Sequence, residues 1–249
     1  MRKMLSLTRG CIDGYSMINP GDKIAVGVSG GKDSLSLLVL LAELRRFYPS
    51  PFQLVAITLD MGFKNADFGP VARLCEKIDV PYIIKKTDIA HVIFDVRQEA
   101  NPCSLCAKMR RGLLNTAALD AGARKIALGH HLDDAVETFM LSLLYEGKIG
   151  CFMPVTYLDR MDVTHIRPLL YASEREVRNF AARQNLPVIH NPCPADKHTK
   201  REEVKTLLAR LEKDYPGLRK RLFGALQRSP LPGWNKTLQE VYTSENLPD

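Results

Sequence analysis

Short apolar runs alternate along this chain with longer segments whose hydrophobic residues recur at helical spacing. The apolar runs predict strands at residues 23–28, 53–59, 82–85 and 125–128. The longer segments predict helices at residues 35–44, 69–78, 104–121 and 133–145. Strands separated by helices are typical of βαβ units, which build parallel sheets. We therefore predict an α/β fold in which helices flank a parallel sheet.

The pattern changes toward the C-terminus. Ser173-Glu-Arg-Glu176 has the form of a capping box and predicts another helix, while Val188-Ile189 predicts a short strand. From about residue 199 the sequence is basic and has helical periodicity, with a break at Pro216-Gly217. We therefore divide the chain into an α/β domain, residues 1–190, and a C-terminal helical segment, residues 191–249.

The composition is that of a globular protein, since 45% of the 249 residues are hydrophobic and 25% are charged. No apolar stretch approaches the ~20 residues that a membrane span needs, and the first residues lack the apolar core of a signal peptide. These features predict a cytoplasmic protein without a membrane partner. The net charge of +7 is compatible with binding to nucleic acid but does not require it.

Basic residues form three clusters. They are Lys108 with Arg110 and Arg111, Lys197 with Lys200 and Arg201, and Arg219 with Lys220 and Arg221. Each cluster alone is equally typical of a solvated helix face. Two of the clusters stand beside cysteines, which favours a path for a polyanion there.

The most specific motif is Ser29-Gly30-Gly31-Lys32-Asp33-Ser34, which joins the first predicted strand to a helix. Two glycines let the backbone approach a ligand, and the amide groups of a helix N-terminus attract anions. Gly27 is spaced wrongly for a Walker loop, which needs four residues before Gly-Lys, and the dinucleotide fingerprint also fails. The motif resembles the pyrophosphate loop of the ATP pyrophosphatase (PP-loop) superfamily, whose members split ATP between its α and β phosphates.

Two further strand ends carry polar or glycine residues. Asp60 ends the second predicted strand, and Gly129-His130 follows the fourth. Ligands of parallel sheets bind at the carboxyl ends of the strands. We therefore expect Ser29–Ser34, Asp60 and Gly129-His130 to share one crevice.

The cysteines predict a second kind of site. Cys103 and Cys106 form a Cys-x-x-Cys pair at a helix start, and Cys193 has a similar Asn-Pro-Cys context. Three interpretations follow from the residues: a zinc site completed by His190, a redox pair, or an iron–sulfur cluster on three cysteines. Spacing alone slightly favours zinc. Cys75 is expected in the core.

Several motifs together resemble the tRNA 2-thiocytidine synthetase family of PP-loop enzymes. They are Ser29–Ser34, Pro102-Cys-Ser-Leu-Cys106, Arg110-Arg111-Gly112, Ala127-Leu-Gly-His-His131 with Asp133-Asp134, and Arg167-Pro168-Leu169. The resemblance implies a Rossmann-like fold and an enzyme that uses ATP to adenylate the 2-oxo group of an anticodon-loop cytidine. Sulfur then displaces AMP, with the help of a [4Fe-4S] cluster. Known members are longer, and they often have a second cysteine pair where this chain has Cys193 followed by Pro194-Ala-Asp196.

The resemblance assigns roles to individual residues. The cluster ligands would be Cys103, Cys106 and Cys193, and the ATP site would comprise Ser29, Gly30, Gly31, Lys32, Asp33, Ser34, Asp60, Gly129 and His130. Lys32 would stabilise phosphate charge, and Asp33, Asp60 or Asp133 would hold Mg²⁺. Asp133 is also a candidate for proton transfer or for helix capping. Of His130 and His131, we expect one to contact nucleotide and the other to pack or cap.

The expected partners are a tRNA and a sulfur donor, either a cysteine desulfurase or sulfide, with a homodimer possible by resemblance. Candidate RNA contacts are Lys108, Arg110, Arg111, Lys200 and Arg201. Two alternatives stay open. The same chemistry can act on a uridine or on a thiolated base, or the chain can be a zinc-stabilised RNA-binding module without catalysis.

Overall fold

The computed structural model describes residues 1–63, 66–97, 102–189, 193, 200–229 and 231–235. Within these ranges the strands form a six-stranded sheet with the order β3-β2-β1-β4-β6-β5. The strands are β1 (Lys23–Gly27), β2 (Gln53–Asp60), β3 (Tyr82–Lys86), β4 (Lys125–Ala127), β5 (Val155–Leu158) and β6 (Val163–Ile166). Neighbours are parallel except β5, which is antiparallel to β6 at one edge. The predicted α/β fold is confirmed.

Helices surround this sheet. They are α1 (Arg2–Gly14), α2 (Lys32–Arg45), α3 (Gly69–Lys77), α4 (Pro102–Asp120), α5 (Leu132–Leu141), α6 (Glu174–Arg183), α7 (Lys200–Asp214) and α8 (Leu218–Arg228). π-Helical turns occupy His91–Arg97 and Ser142–Glu146. The capping box of Ser173 and Glu176 is present at the start of α6. None of the described helices is long and apolar enough to cross a membrane.

Both faces of the sheet are buried, and successive residues of β1 show it. Ile24 and Val26 belong to the large core formed with α1, α2 and α6, whereas Ala25 packs with Ala117 and Ala118 of α4 on the other face. α2 is apolar on nearly all sides because it lies between the sheet and α1 and α6. This sandwich holds the start of α2, and with it the Ser29–Ser34 loop, on a rigid base.

The C-terminal helices share the large core. Val204 and Leu208 of α7, Phe223 of α8, and Trp234 are buried in it. The Trp234 indole N–H donates to the carbonyl of Phe152 at 2.9 Å. The proposed boundary at residue 190 stays a prediction.

The predicted strand at Val188-Ile189 is wrong. Residues 186–189 have no regular secondary structure. The Ile189 N–H instead donates to the carbonyl of Gly30 at 2.9 Å, so the segment lies across the loop and adds no strand to the sheet.

Strand register brings the expected crevice together. Gly27 of β1 is opposite Ile57 of β2, and Ala127 of β4 is opposite Ile166 of β6. The residues that follow these strands therefore lie along one edge, at the carboxyl ends where α/β sheets bind ligands.

Candidate functional site

The Ser29–Ser34 loop is held by its own side chains. Ser34 Oγ accepts a hydrogen bond from Ser29 N at 3.1 Å and donates to the carbonyl of Gly31 at 3.0 Å. Gly31 is the extended N-cap residue of α2, and Gly30 has φ +80°. These contacts within the loop fix its shape, with the α2 N-terminus at its centre, an arrangement that suits an anion.

Two glycines permit close backbone contacts around this loop. A Cβ on Gly30 would lie 3.1 Å from Ile189 Cβ, and Gly30 also has a positive φ. A Cβ on Gly129 would lie 3.0 Å from the Asp33 carbonyl carbon and the Ser34 nitrogen. β4 and the first turn of α2 therefore approach more closely than a larger residue allows, which brings Gly129 to the loop as predicted.

Lys32 lies at the loop between two carboxylates. Its Nζ is 3.0 Å from Asp33 Oδ2 and 3.3 Å from Glu174 Oε1. Burial by itself would raise the pKa of Glu174, but Lys205 and Lys32 outweigh it and lower that pKa to about 2. Since the Lys32 side chain is 26% exposed, it stays accessible to a phosphate.

Asp33 offers an oxygen to a cation. Its Oδ1 is buried and has no hydrogen-bond partner among the described residues, and His131 Nε2 is 3.8 Å away. Carboxylate oxygens are the preferred ligands of Mg²⁺. The free oxygen of Asp33 thus has the chemistry that a magnesium ion needs, and its role as a magnesium ligand stays a prediction.

Asp60 and Asp133 are placed differently from each other. Asp60 ends β2 at the crevice, is half-buried, and accepts a hydrogen bond from Gly62 N at 3.0 Å. Asp133 is buried, and both of its oxygens have partners: Glu174 N donates to Oδ2 at 2.7 Å, and Arg219 lies 3.1 Å from Oδ1. Asp133 holds the start of α6 in place, and its catalytic role stays a prediction.

The two histidines have distinct environments. His131 caps α5 by accepting from Asp134 N, in a capping box with the Asp134 side chain. His130 stacks against Phe152 with ring centroids 5.0 Å apart, and its buried Nδ1 has no hydrogen-bond partner in the described part of the chain. Burial, followed by the charge of Arg167, lowers the pKa of His130 to about 4. His130 is therefore neutral at physiological pH, and its unsatisfied nitrogen suits a polar ligand.

The three candidate cysteines lie in one neighbourhood. Cys103 is exposed and Cys106 half-buried at the start of α4. Burial raises the pKa of Cys106, Arg110 lowers it through a hydrogen bond and its charge, and Cys193 and Cys103 each raise it, so both lie within electrostatic range. None of the six cysteines, all within the described residues, forms a disulfide.

The chemistry of the three cysteines suits a metal cluster, although the described side chains are not arranged around a metal position. The two thiols at the start of α4 and the thiol of Cys193 are soft ligands of the type that iron–sulfur clusters use. Among the described residues no group of three or more His, Cys, Asp or Glu side chains is arranged to hold a metal ion. His190, the fourth ligand of the zinc interpretation, lies outside these residues.

With this geometry in view, comparison with known proteins is informative. The PP-loop domain family matches residues 7–211. The tRNA-cytidine(32) 2-sulfurtransferase of Syntrophotalea carbinolica is 38% identical over 228 residues, which cover 90% of this chain and 88% of that protein. Its counterpart in Pelobacter propionicus is 40% identical over 215 residues, covering 85% and 80%. This chain belongs to the tRNA 2-thiocytidine synthetase family of PP-loop proteins.

A solved structure extends the likeness. The U34-tRNA thiolase NcsA from Methanococcus maripaludis, with its [4Fe-4S] cluster, matches with a TM-score of 0.72 and 28% identity. The match covers 87% of this chain and 75% of that one. The PP-loop family resemblance seen in the motifs is therefore confirmed along most of the chain.

The basic residues predicted to contact RNA fall into two groups in this PP-loop protein. Lys108, Arg110 and Arg111 are exposed on α4, beside the cysteine pair. Arg201 instead pairs with Asp134 at 3.1 Å, and Lys200 pairs with Glu203 at 3.0 Å. The α7 pair is thus engaged within the protein, and RNA contact by either group stays a prediction.

Two site residues were not assigned roles from the sequence. Glu174 links Lys32 to Lys205 of α7, and the only sequence signal for it is its place in the capping box. Arg167 is buried, donates to the Met153 carbonyl at 2.5 Å and lies 4.8 Å over the Phe152 ring. The motif that Arg167 forms with Pro168 and Leu169 can be seen in the sequence. The structural role of Arg167, which is to hold the segment before β5, depends on these contacts with residues far along the chain.

Proposed function

We propose that this protein is an ATP-dependent tRNA sulfurtransferase that thiolates the 2-position of an anticodon-loop cytidine. The observation that carries the proposal is a PP-loop at the carboxyl end of β1 together with Cys103, Cys106 and Cys193 near one another in the same fold. Identity near 38% to tRNA-cytidine(32) 2-sulfurtransferases supports the choice of base.

Adenylation makes the base oxygen displaceable. The 2-oxo oxygen attacks the α-phosphorus of ATP, a new phosphorus–oxygen bond forms, and pyrophosphate leaves. A sulfur nucleophile then adds at carbon 2, and the oxygen departs with AMP. An amide-like oxygen is a poor leaving group, whereas AMP is a good one, so the step needs the energy of ATP.

The loop residues would stabilise the charge that develops on the phosphates. The amide groups at the α2 N-terminus and Lys32 act on the pyrophosphate side. Asp33, whose Oδ1 is buried without a hydrogen-bond partner among the described residues, would hold Mg²⁺ together with Asp60. Asp133 would act indirectly, since its oxygens hold α6 and Arg219.

The cysteines would hold a [4Fe-4S] cluster, as the NcsA structure does contain one. With three protein ligands, a bound cluster would leave one iron open to the incoming sulfur. Cys103 and Cys106 would bind from the start of α4 and Cys193 from the segment before α7. The sulfur would come from a cysteine desulfurase or from sulfide, and a homodimer remains an expectation from the family.

A second candidate substrate is a uridine. The likeness to a U34-tRNA thiolase favours this substrate. The identity to that thiolase is 28%, however, whereas the identity to the two tRNA-cytidine(32) 2-sulfurtransferases is 38–40%. A zinc-stabilised RNA-binding module without catalysis is the non-enzymatic alternative, and it assigns no task to the PP-loop.

One experiment separates these possibilities. Protein purified without oxygen is analysed for iron, sulfide and zinc, then incubated with tRNA, ATP and sulfide, and the nucleosides are identified by mass spectrometry. We expect iron and sulfide in the protein, 2-thiocytidine in the tRNA, and release of AMP and pyrophosphate. Cys193→Ala should abolish product, whereas Cys75→Ala, which removes a buried thiol from the core, should retain it. Thiouridine alone would favour the second candidate, and tRNA binding without AMP release would favour the third.

A further inference from the structure

Ile189, four residues before Cys193, lies directly on the PP-loop. The Ile189 N–H donates to the Gly30 carbonyl at 2.9 Å. The Ile189 side chain packs against Gly30, where an added Cβ would lie 3.1 Å from Ile189 Cβ. Ile189 is half-buried and also packs against the main core. Ile189 is therefore held by the PP-loop on one side and by the main core on the other.

This contact sets the direction of one amide group in the loop. In a trans peptide the C=O and the next N–H point in opposite directions. Because Ile189 holds the Gly30 carbonyl on its side, the Gly31 N–H is directed to the other side, where it donates to Ser29 Oγ at 3.4 Å. Gly31 is the N-cap residue of α2, so this peptide sets the backbone at the start of the helix whose N–H groups suit a phosphate.

The same contact limits where Cys193 can lie. Cys193 follows Ile189 by four residues, a length that spans at most about 14 Å. On the other side of Cys193, Lys205 of α7 reaches Glu174 at 3.1 Å, and Glu174 reaches Lys32 at 3.3 Å. Among the described residues, contacts to the PP-loop or to Lys32 therefore exist both before Cys193, at Ile189, and after it, through Lys205 and Glu174.

We infer that Ile189 is a positioning residue that couples nucleotide binding at the PP-loop to the placement of Cys193 at the metal centre. The inference deepens the proposed function and rests on it for the identity of the two ligands. A nucleotide that fixes the Gly30–Gly31 peptide strengthens the Ile189 contact and holds Cys193 in place. By linkage, a metal centre that fixes Cys193 strengthens nucleotide binding by the same factor.

The coupling is tested on the anaerobically purified, metal-loaded protein. Two quantities are measured: the Kd of a non-hydrolysable ATP analogue by calorimetry, and the rate at which a chelator removes the metal, with and without the analogue. In the wild type we expect the analogue to slow metal removal several-fold. Both readouts are independent of thiolation, and metal removal can be followed for iron or for zinc.

Variants at Ile189 remove the contact in stages. Ile189→Pro has no N–H donor and should bind the analogue about tenfold more weakly, with the analogue no longer slowing metal removal. Ile189→Val should behave like the wild type. Val188→Ala is the matched control, since Val188 is the adjacent residue and is 52% exposed. If Ile189→Pro does not fold by circular dichroism, Ile189→Gly, which loses the side-chain cover of Gly30, replaces it and should reduce the effect of the analogue on metal removal.

The outcomes are distinct from those of the proposed function. An analogue that leaves metal removal unchanged in the wild type, or that slows it equally in wild type and in the folded Ile189 variant, overturns the coupling even if 2-thiocytidine is made. Absence of 2-thiocytidine with an intact, Ile189-dependent response supports the coupling and rejects the proposed substrate.

Discussion

Replacing Gly129 by alanine should damage the PP-loop from the neighbouring strand. Gly129 follows β4, and an added Cβ would lie 3.0 Å from the carbonyl carbon of Asp33 and 3.2 Å from its oxygen. The contacted atoms are backbone atoms in the first turn of α2, so no side-chain rotation relieves the clash. The perturbation is therefore transmitted directly to the loop.

The size of the effect follows from these distances. Ordinary van der Waals contact begins at 3.4 Å, so β4 and the start of α2 must separate by about 0.4 Å, and overpacking of this kind costs about 1–3 kcal/mol. If that cost falls on the nucleotide complex, the Kd for ATP rises by about 5- to 150-fold. If that cost falls on the fold, the free energy of unfolding decreases by about 1–3 kcal/mol.

The assay combines calorimetry with an ATP analogue and urea unfolding. The matched control is Gly112→Ala: Gly112 lies within α4, and an added Cβ there meets nothing within 4 Å. Alanine is favoured over glycine inside a helix by about 0.5–1 kcal/mol, so the control should be slightly stabilised. Unchanged analogue affinity together with an unchanged unfolding free energy in Gly129→Ala would refute the close contact between β4 and α2.

Three further predictions follow from side-chain environments. Glu174 has a pKa lowered to about 2, so its stabilising contribution, at most about 3 kcal/mol, should be fully present above pH 4.5 and decrease as the pH falls toward 2. In urea unfolding, the difference between wild type and Glu174→Gln should therefore be smaller at pH 3 than at pH 7, without disappearing at pH 3. Asn115→Ala leaves the buried Nε2 of His165 without its 2.7 Å partner and should lower the unfolding free energy by about 1–3 kcal/mol. In metal-free protein at pH 8, iodoacetamide should modify exposed Cys103 well before Cys75, whose pKa is raised to about 11 by burial.

Each of these three predictions has a comparison and an outcome that would contradict it. Glu203→Gln removes an exposed carboxylate, and a pH dependence equal to that of Glu174→Gln would argue against the special role of Glu174. Thr116→Ala changes the exposed neighbour of Asn115, and an equal loss of stability would argue against the buried hydrogen bond. Modification of Cys75 as fast as Cys103, measured by peptide mass spectrometry, would contradict the burial of Cys75.

The sequence predicted the parts of the fold that are set by local patterns. The strands corresponding to β1, β2 and β4 are apolar runs because both faces of these central strands are buried, and the helices between them have clear hydrophobic spacing. β3 was also predicted, from a shorter apolar run, although it lies at an edge and is largely exposed. β5 and β6 were missed. Each has four residues, and β6 contains polar Thr164 and His165. His165 is buried there only because Asn115 on α4 supplies a hydrogen bond from far along the chain.

In the candidate site, too, local patterns could be predicted from the sequence, whereas contacts between distant residues could not. Ser29–Ser34, Asp60 and Gly129 were placed together from the sequence, since strand order and register bring carboxyl ends to one edge. The contacts of Asp133 were beyond such reasoning. A buried aspartate at a helix start resembles a catalytic one, and only the positions of Arg219 and Glu174 show that its oxygens are engaged.

Charge placement shows why the net charge alone was a weak guide to RNA binding. Arg201 and Arg219 count toward the +7 total, yet both are paired with acids: Arg201 lies 3.1 Å from half-buried Asp134, and Arg219 lies 3.1 Å from buried Asp133. In the described part of the chain, Lys108 and Arg111 form no ion pair with a carboxylate and are exposed on α4. A polyanion is attracted by charge that is not already neutralised. Lys108 and Arg111 therefore stay better candidates for RNA contact than Arg201, and RNA contact by either of them stays a prediction.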